Sequence, residues 1–77
     1  MNPSLTVANL TFFGGGPWDG NIQDTLVPFD EKEIVVEGKY SIPGKSFVHK
    51  YARIMWFYDE GALAPTYVFE YVGTFWI

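Results

Sequence analysis

Residues 46–58 (SFVHKYARIMWFY) and 66–77 (TYVFEYVGTFWI) hold the longest apolar runs in the chain and ten of its fifteen aromatic rings, so the fold must be built around them. Helical periodicity alone would accept residues 46–58. Phe47, Val48, Tyr51, Ile54, Met55 and Tyr58 fall near one stripe, with Ser46, His49, Lys50 and Arg53 opposite. Five aromatic and two β-branched residues among these thirteen suit a pleated surface better than a helix. The intervening DEGALAP supplies the Gly and Pro of a hairpin connection, and the returning segment is rich in Tyr, Val, Phe, Thr and Trp. A hairpin of two long strands is therefore expected, the alternative being an α+β fold with residues 46–58 helical. Thirteen extended residues would span roughly 40 Å, twice the usual strand, so the first strand should bend or carry a bulge.

Seventy-seven residues make one small domain, 1–77, near the size at which a single core is only just sufficient. Without cysteine there is no disulfide and no thiolate zinc site. The visible compensation is seven Phe, five Tyr and three Trp, each contributing on the order of 1.5–3 kcal/mol if fully buried. A small barrel has few inward positions, and adjacent Trp56, Phe57 and Tyr58 must alternate between the faces of a strand. Some rings should therefore point outward and meet a second molecule, either another copy in a homodimer or higher oligomer or a different protein.

Residues 4–13 (SLTVANLTFF) read as a first strand, and the run Gly14-Gly15-Gly16-Pro17-Trp18-Asp19-Gly20 as a chain reversal. Residues 21–29 (NIQDTLVPF) read as a second strand whose Pro28 marks its end or a sheet edge. A charged connection, Asp30-Glu31-Lys32-Glu33, leads to a short strand at Ile34-Val35-Val36. Another short extended piece is expected at Lys39-Tyr40-Ser41-Ile42, and Ile42-Pro43-Gly44-Lys45 has the Pro-Gly order of a type II turn. Five to six strands with short turns and no helix or repeat predict an all-β small antiparallel barrel or roll.

The glycine run is not a phosphate cradle: no Lys-Ser/Thr pair follows it, and no G-x-G-x-x-G register fits. His49 is the only histidine and has no nucleophile patterned around it. Asp19, Asp24, Asp30, Glu31 and Glu33 lack calcium-loop spacing and read as solvated charge. These patterns predict no catalytic residue, no metal site and no cofactor. The chain is expected to be no enzyme.

The net charge of −4 opposes general affinity for nucleic acid or anionic membrane. No apolar span long enough for a bilayer is present, and the expected location is the cytoplasm. The charge is uneven, however. Residues 38–58 contain no carboxylate, and Lys39, Lys45, Lys50 and Arg53 are interleaved there with Tyr40, Phe47, Tyr51, Trp56 and Phe57. Cations beside stacking rings form single-strand nucleic-acid platforms, which makes such a binder the alternative to a protein-binding module. An acidic protein partner fits the same feature. The terminal Phe75-Trp76-Ile77 should be docked, as the closing strand or in a partner groove.

Phe13-Gly14-Gly15-Gly16-Pro17-Trp18-Asp19-Gly20, followed by Tyr51-Ala52-Arg53 and Tyr67-Val68-Phe69-Glu70-Tyr71-Val72-Gly73, resembles a pattern in short uncharacterised proteins of actinobacteria and their bacteriophages. Those proteins join an apolar strand, a Gly-Gly-Pro-aromatic-Asp-Gly turn and a Tyr-rich hairpin. The resemblance implies a phage or prophage accessory product, acting in the host cytoplasm or the virion, and carries over no catalytic residue. It makes Gly15, Gly16, Pro17, Asp19 and Gly20 a fold signature and Trp18 a plug or a contact. Gly14 and the heavily aromatic residues 49–58 exceed the pattern. The expected partner-binding residues are Trp18, Lys50, Arg53, Trp56, Tyr58 and Trp76.

Overall fold

A computed structural model describes residues 5–28, 30–38 and 46–77. The strands are β1 (Leu5–Phe13), β2 (Ile22–Pro28), β3 (Glu33–Glu37), β4 (Phe47–Phe57) and β5 (Thr66–Trp76), in one sheet of order β2-β1-β5-β4-β3. The fold is all-β, a curled half-barrel. Residues 47–57 are strand, which excludes the helical alternative. The extended piece and turn expected over residues 39–45 lie outside the described residues.

One pairing departs from the all-antiparallel expectation: β1 and β5 run parallel, Leu10 beside Tyr67 and Phe12 beside Phe69. The reason is parity. Each strand reverses the one before it, so in a chain of five strands the first and last point the same way when they become neighbours.

The curl follows from connectivity. β2 and β3 occupy opposite edges of the sheet, yet only residues 29–32 join them. In a flat sheet those edges would lie about 19 Å apart, roughly the full reach of the connecting chain. A turn in which Glu31 N–H donates to Pro28 C=O (3.0 Å) shortens that reach further. The sheet bends instead, which brings Val27 of β2 into one cluster with Ile34 and Val36 of β3.

Its concave face holds the core. Ala8, Leu10 and Phe12 alternate inward from β1, Tyr67 and Phe69 from β5, and Tyr51 from β4, all essentially buried. The molecule stays flat, 49 × 32 × 17 Å with a radius of gyration of 14.0 Å, against about 11–12 Å for a compact chain of this length. This elongation comes from the β4–β5 hairpin, which outruns its neighbours. β1 pairs with β5 only as far as Phe13 opposite Glu70.

Among the described residues the C-terminal side chains are not docked against the rest of the chain itself. Backbone pairing continues, with Trp76 opposite Phe47 and Ile77 N–H donating to Ser46 C=O (2.9 Å). Yet Phe75, Trp76 and Ile77 are all exposed, Ile77 by 79%. They lie beyond the end of β1, where β5 has β4 beside it and, among the described residues, no strand on its other side.

Candidate functional site

Tyr51 organises the half of the hairpin that meets the glycine loop. Its ring packs edge-on to Phe12 (5.1 Å, 77°) and against Tyr71 (5.3 Å). The buried hydroxyl is fully used: it accepts from Trp18 N–H (2.9 Å) and donates to Gly15 C=O (2.8 Å). Those bonds fold the loop over the concave face, where the Trp18 ring meets Phe12 edge-on (5.1 Å, 81°). Gly20 N–H to Phe12 C=O and Asn21 N–H to Trp18 C=O, both 2.9 Å, close the loop. Gly16 sits at φ +75° directly over this pair of tyrosines. A Cβ there would meet Tyr51 Oη at 2.5 Å and the Tyr71 ring at 2.6 Å. Trp18 is thus a half-buried plug.

Neighbouring polar groups are engaged structurally. His49 Nδ1 lies 2.9 Å from Tyr71 Oη and 3.3 Å from Thr74 Oγ1, and these two hydroxyls lie 2.8 Å apart. Asp19 Oδ1 accepts from Gly15 N–H (3.3 Å), and Asp24 Oδ1 from Asn9 Nδ2 (3.0 Å). Among the described residues no three His, Asp or Glu side chains converge as metal ligands would. Among the described residues no helix is long and apolar enough to cross a membrane.

Two bulges decide which rings share a face. Ile54 is an extra residue in β4, so Arg53 stands opposite Phe69 while Met55 stands opposite Val68. Simple alternation from Arg53 would set Met55 across from Tyr67. With the bulge that place goes to Trp56, on the concave face with Arg53. The guanidinium of Arg53 lies over the Tyr67 ring (5.0 Å), and Trp56 meets Tyr67 (6.4 Å, 75°) and Tyr58 (6.3 Å, 78°) edge-on. Arg53, Trp56 and Tyr58 therefore form one group on a Tyr67 base. Trp56 is 46% exposed and Tyr58 59%. Phe57, opposite Thr66, and Met55 are exposed on the other face of the same hairpin end.

The second bulge, at Val72 of β5, separates the remaining expected residues. Lys50 lies on the outer face, 3.9 Å from Glu33 and with its ammonium 4.7 Å from the centroid of Phe75. Trp76 is on the concave face against Phe47 (5.7 Å, 70°), nine residues along β5 from Tyr67, roughly 30 Å by strand rise. Of the six expected contact residues the fold gathers three. Lys50 and Arg53 sit on opposite faces, and Lys39 and Lys45 lie outside the described residues, so no shared cationic platform is on view. Sequence reasoning missed Met55 and the outward apolar side chains of the first hairpin, Val7, Ile22 and Leu26. Alternation read strand by strand could have found the last three.

Comparison with protein-family models, with curated proteins and with solved structures finds no match to this chain.

Proposed function

We propose that this chain is a non-enzymatic protein-binding module that engages its partner through the Arg53, Trp56 and Tyr58 end of the β4–β5 hairpin. One observation carries the reading. In a chain that must save apolar burial, a Trp and a Tyr are set edge-on beside an Arg that overlies a third ring, and each keeps about half of its surface exposed. Tyr, Trp and Arg are the residue types that dominate binding hot spots, since they combine large rigid area with a polar handle. Engagement of His49 by Tyr71 and Thr74 supports the non-enzymatic part.

The partner is a second copy or, following the resemblance of the Gly-Gly-Pro-aromatic-Asp-Gly stretch, a host or virion protein met by a phage product. A photo-crosslinking residue at Tyr58, with the same residue at Val35 as an outer-face control, separates these in cells of the native source. The expected result is one dominant adduct from position 58, its mass identifying self or foreign partner, and none from position 35. Equal labelling from both positions, or none from position 58, would refute the reading.

A further inference from the structure

The ladder between β1 and β2 determines which backbone groups of β2 are unpaired. Phe12 N–H donates to Asn21 C=O (3.1 Å), so Phe12 turns its N–H toward β2, while Asn9 N–H turns the other way to Pro65 C=O (2.9 Å). By antiparallel alternation the pairs Leu10 with Gln23, Ala8 with Thr25 and Thr6 with Val27 are bonded too. Ile22, Asp24 and Leu26 consequently aim N–H and C=O away from β1. Among the described residues no strand takes them up, because β2 is the edge of the sheet.

Negative charge gathers on both edge strands and the turn between them, with Asp24 the carboxylate of β2. Residues 21–38 hold Asp24, Asp30, Glu31, Glu33 and Glu37 against Lys32 alone, which is the whole net charge of −4. Elsewhere Asp19, Asp59, Glu60 and Glu70 balance Lys39, Lys45, Lys50 and Arg53. The two edge strands and the turn between them are therefore the acidic part of an otherwise neutral chain. On the outer face of β2, Asp24 lies between Ile22 and Leu26, which are 64% and 61% exposed.

We propose that the free edge of β2 accepts an extended basic segment of a partner protein as a sixth strand. Main-chain bonds to Ile22, Asp24 and Leu26 would supply the pairing. A Lys or Arg beside Asp24, with apolar residues beside Ile22 and Leu26, would supply selectivity. β3 is the poorer edge. It is two residues shorter, and Glu33 and Glu37, flanking Val35 on its outer face, blunt it. A second copy is the poorer occupant. Self-pairing centred on Asp24 sets two carboxylates directly opposite, and any register brings one acidic edge against another. This surface is separate from the aromatic hairpin, and removing Trp56 leaves it intact.

The probe is a synthetic capped peptide whose one face reads Val-Lys-Val (Val-Thr-Lys-Thr-Val), with Val-Thr-Glu-Thr-Val as charge control, read by amide exchange and titration at about 50 mM salt. The Lys peptide should slow exchange of the Ile22, Asp24 and Leu26 amides by roughly tenfold or more at saturation, and the Glu peptide should not. Leu26→Pro removes an outward N–H without breaking a bond to β1, so it should fold and weaken binding at least about tenfold. If that variant does not fold, Asp24→Lys provides the test, and preference should then pass to the Glu peptide. No binding of the Lys peptide, protection of other amides instead, undiminished binding by folded Leu26→Pro, or a β2 edge already occupied by a second copy would each overturn the proposal.

Discussion

The β4–β5 hairpin contains two aromatic groups that look alike in sequence and behave oppositely in structure. Around Tyr51 the rings of Phe12 and Phe69 are buried and Tyr71 is partly covered, and a glycine loop is bonded to the phenol. Around Trp56, a few residues further along β4, the rings touch one another, and while Tyr67 beneath is buried, Trp56 and Tyr58 stay 46% and 59% exposed. What closes over Tyr51 is a backbone segment, the glycine loop. A phenol that satisfies one N–H and one C=O at once fixes a loop that could not otherwise be buried, because unpaired backbone groups are costly there. At Trp56 the ring keeps 46% of its surface exposed. An abundance of aromatic residues therefore says little about function until it is known which rings carry backbone over them.

Three substitutions sharpen the contrast. Gly16→Ala should have the largest effect, roughly 3 kcal/mol of destabilisation in urea unfolding. It forces a Cβ into a left-handed conformation against Tyr51 and Tyr71. Wild-type stability in this variant would mean that the loop does not press on the tyrosines. Tyr51→Phe comes next, at about 2 kcal/mol, because Trp18 N–H and Gly15 C=O both lose their partner. The companion measurement is faster amide exchange at Trp18, and unchanged exchange would show the loop to be held by other contacts. Trp56→Ala should be smallest, below about 1 kcal/mol in stability, while costing partner binding 2 kcal/mol or more. A large drop in urea midpoint would move Trp56 into the core and collapse the comparison.

The amino-acid sequence made much of this legible through local rules. Glycine, proline and Asp-Gly punctuation placed the turns, and β-branched and aromatic density marked residues 47–57 as strand despite their helical stripe. Pro28 correctly ended an edge strand, since it cannot donate to a ladder. The excess length of the first hairpin strand required a bulge. Ring surplus pointed to outward aromatics, and six of them are exposed among the described residues.

Other properties were decided only in three dimensions. A bulge can be demanded by strand length but not positioned by it, and the insertion at Ile54 is what turns Trp56 to the side of Arg53 and Tyr67. The parallel contact of β1 with β5 depends on the number of strands and on which pair closes, a non-local choice. Exposure of Phe75, Trp76 and Ile77 follows from where β1 happens to stop. Propensity and patterning act over neighbouring residues and so were written in the chain. Face, register and cover arise from contacts between segments dozens of residues apart, which only the folded sheet brings together.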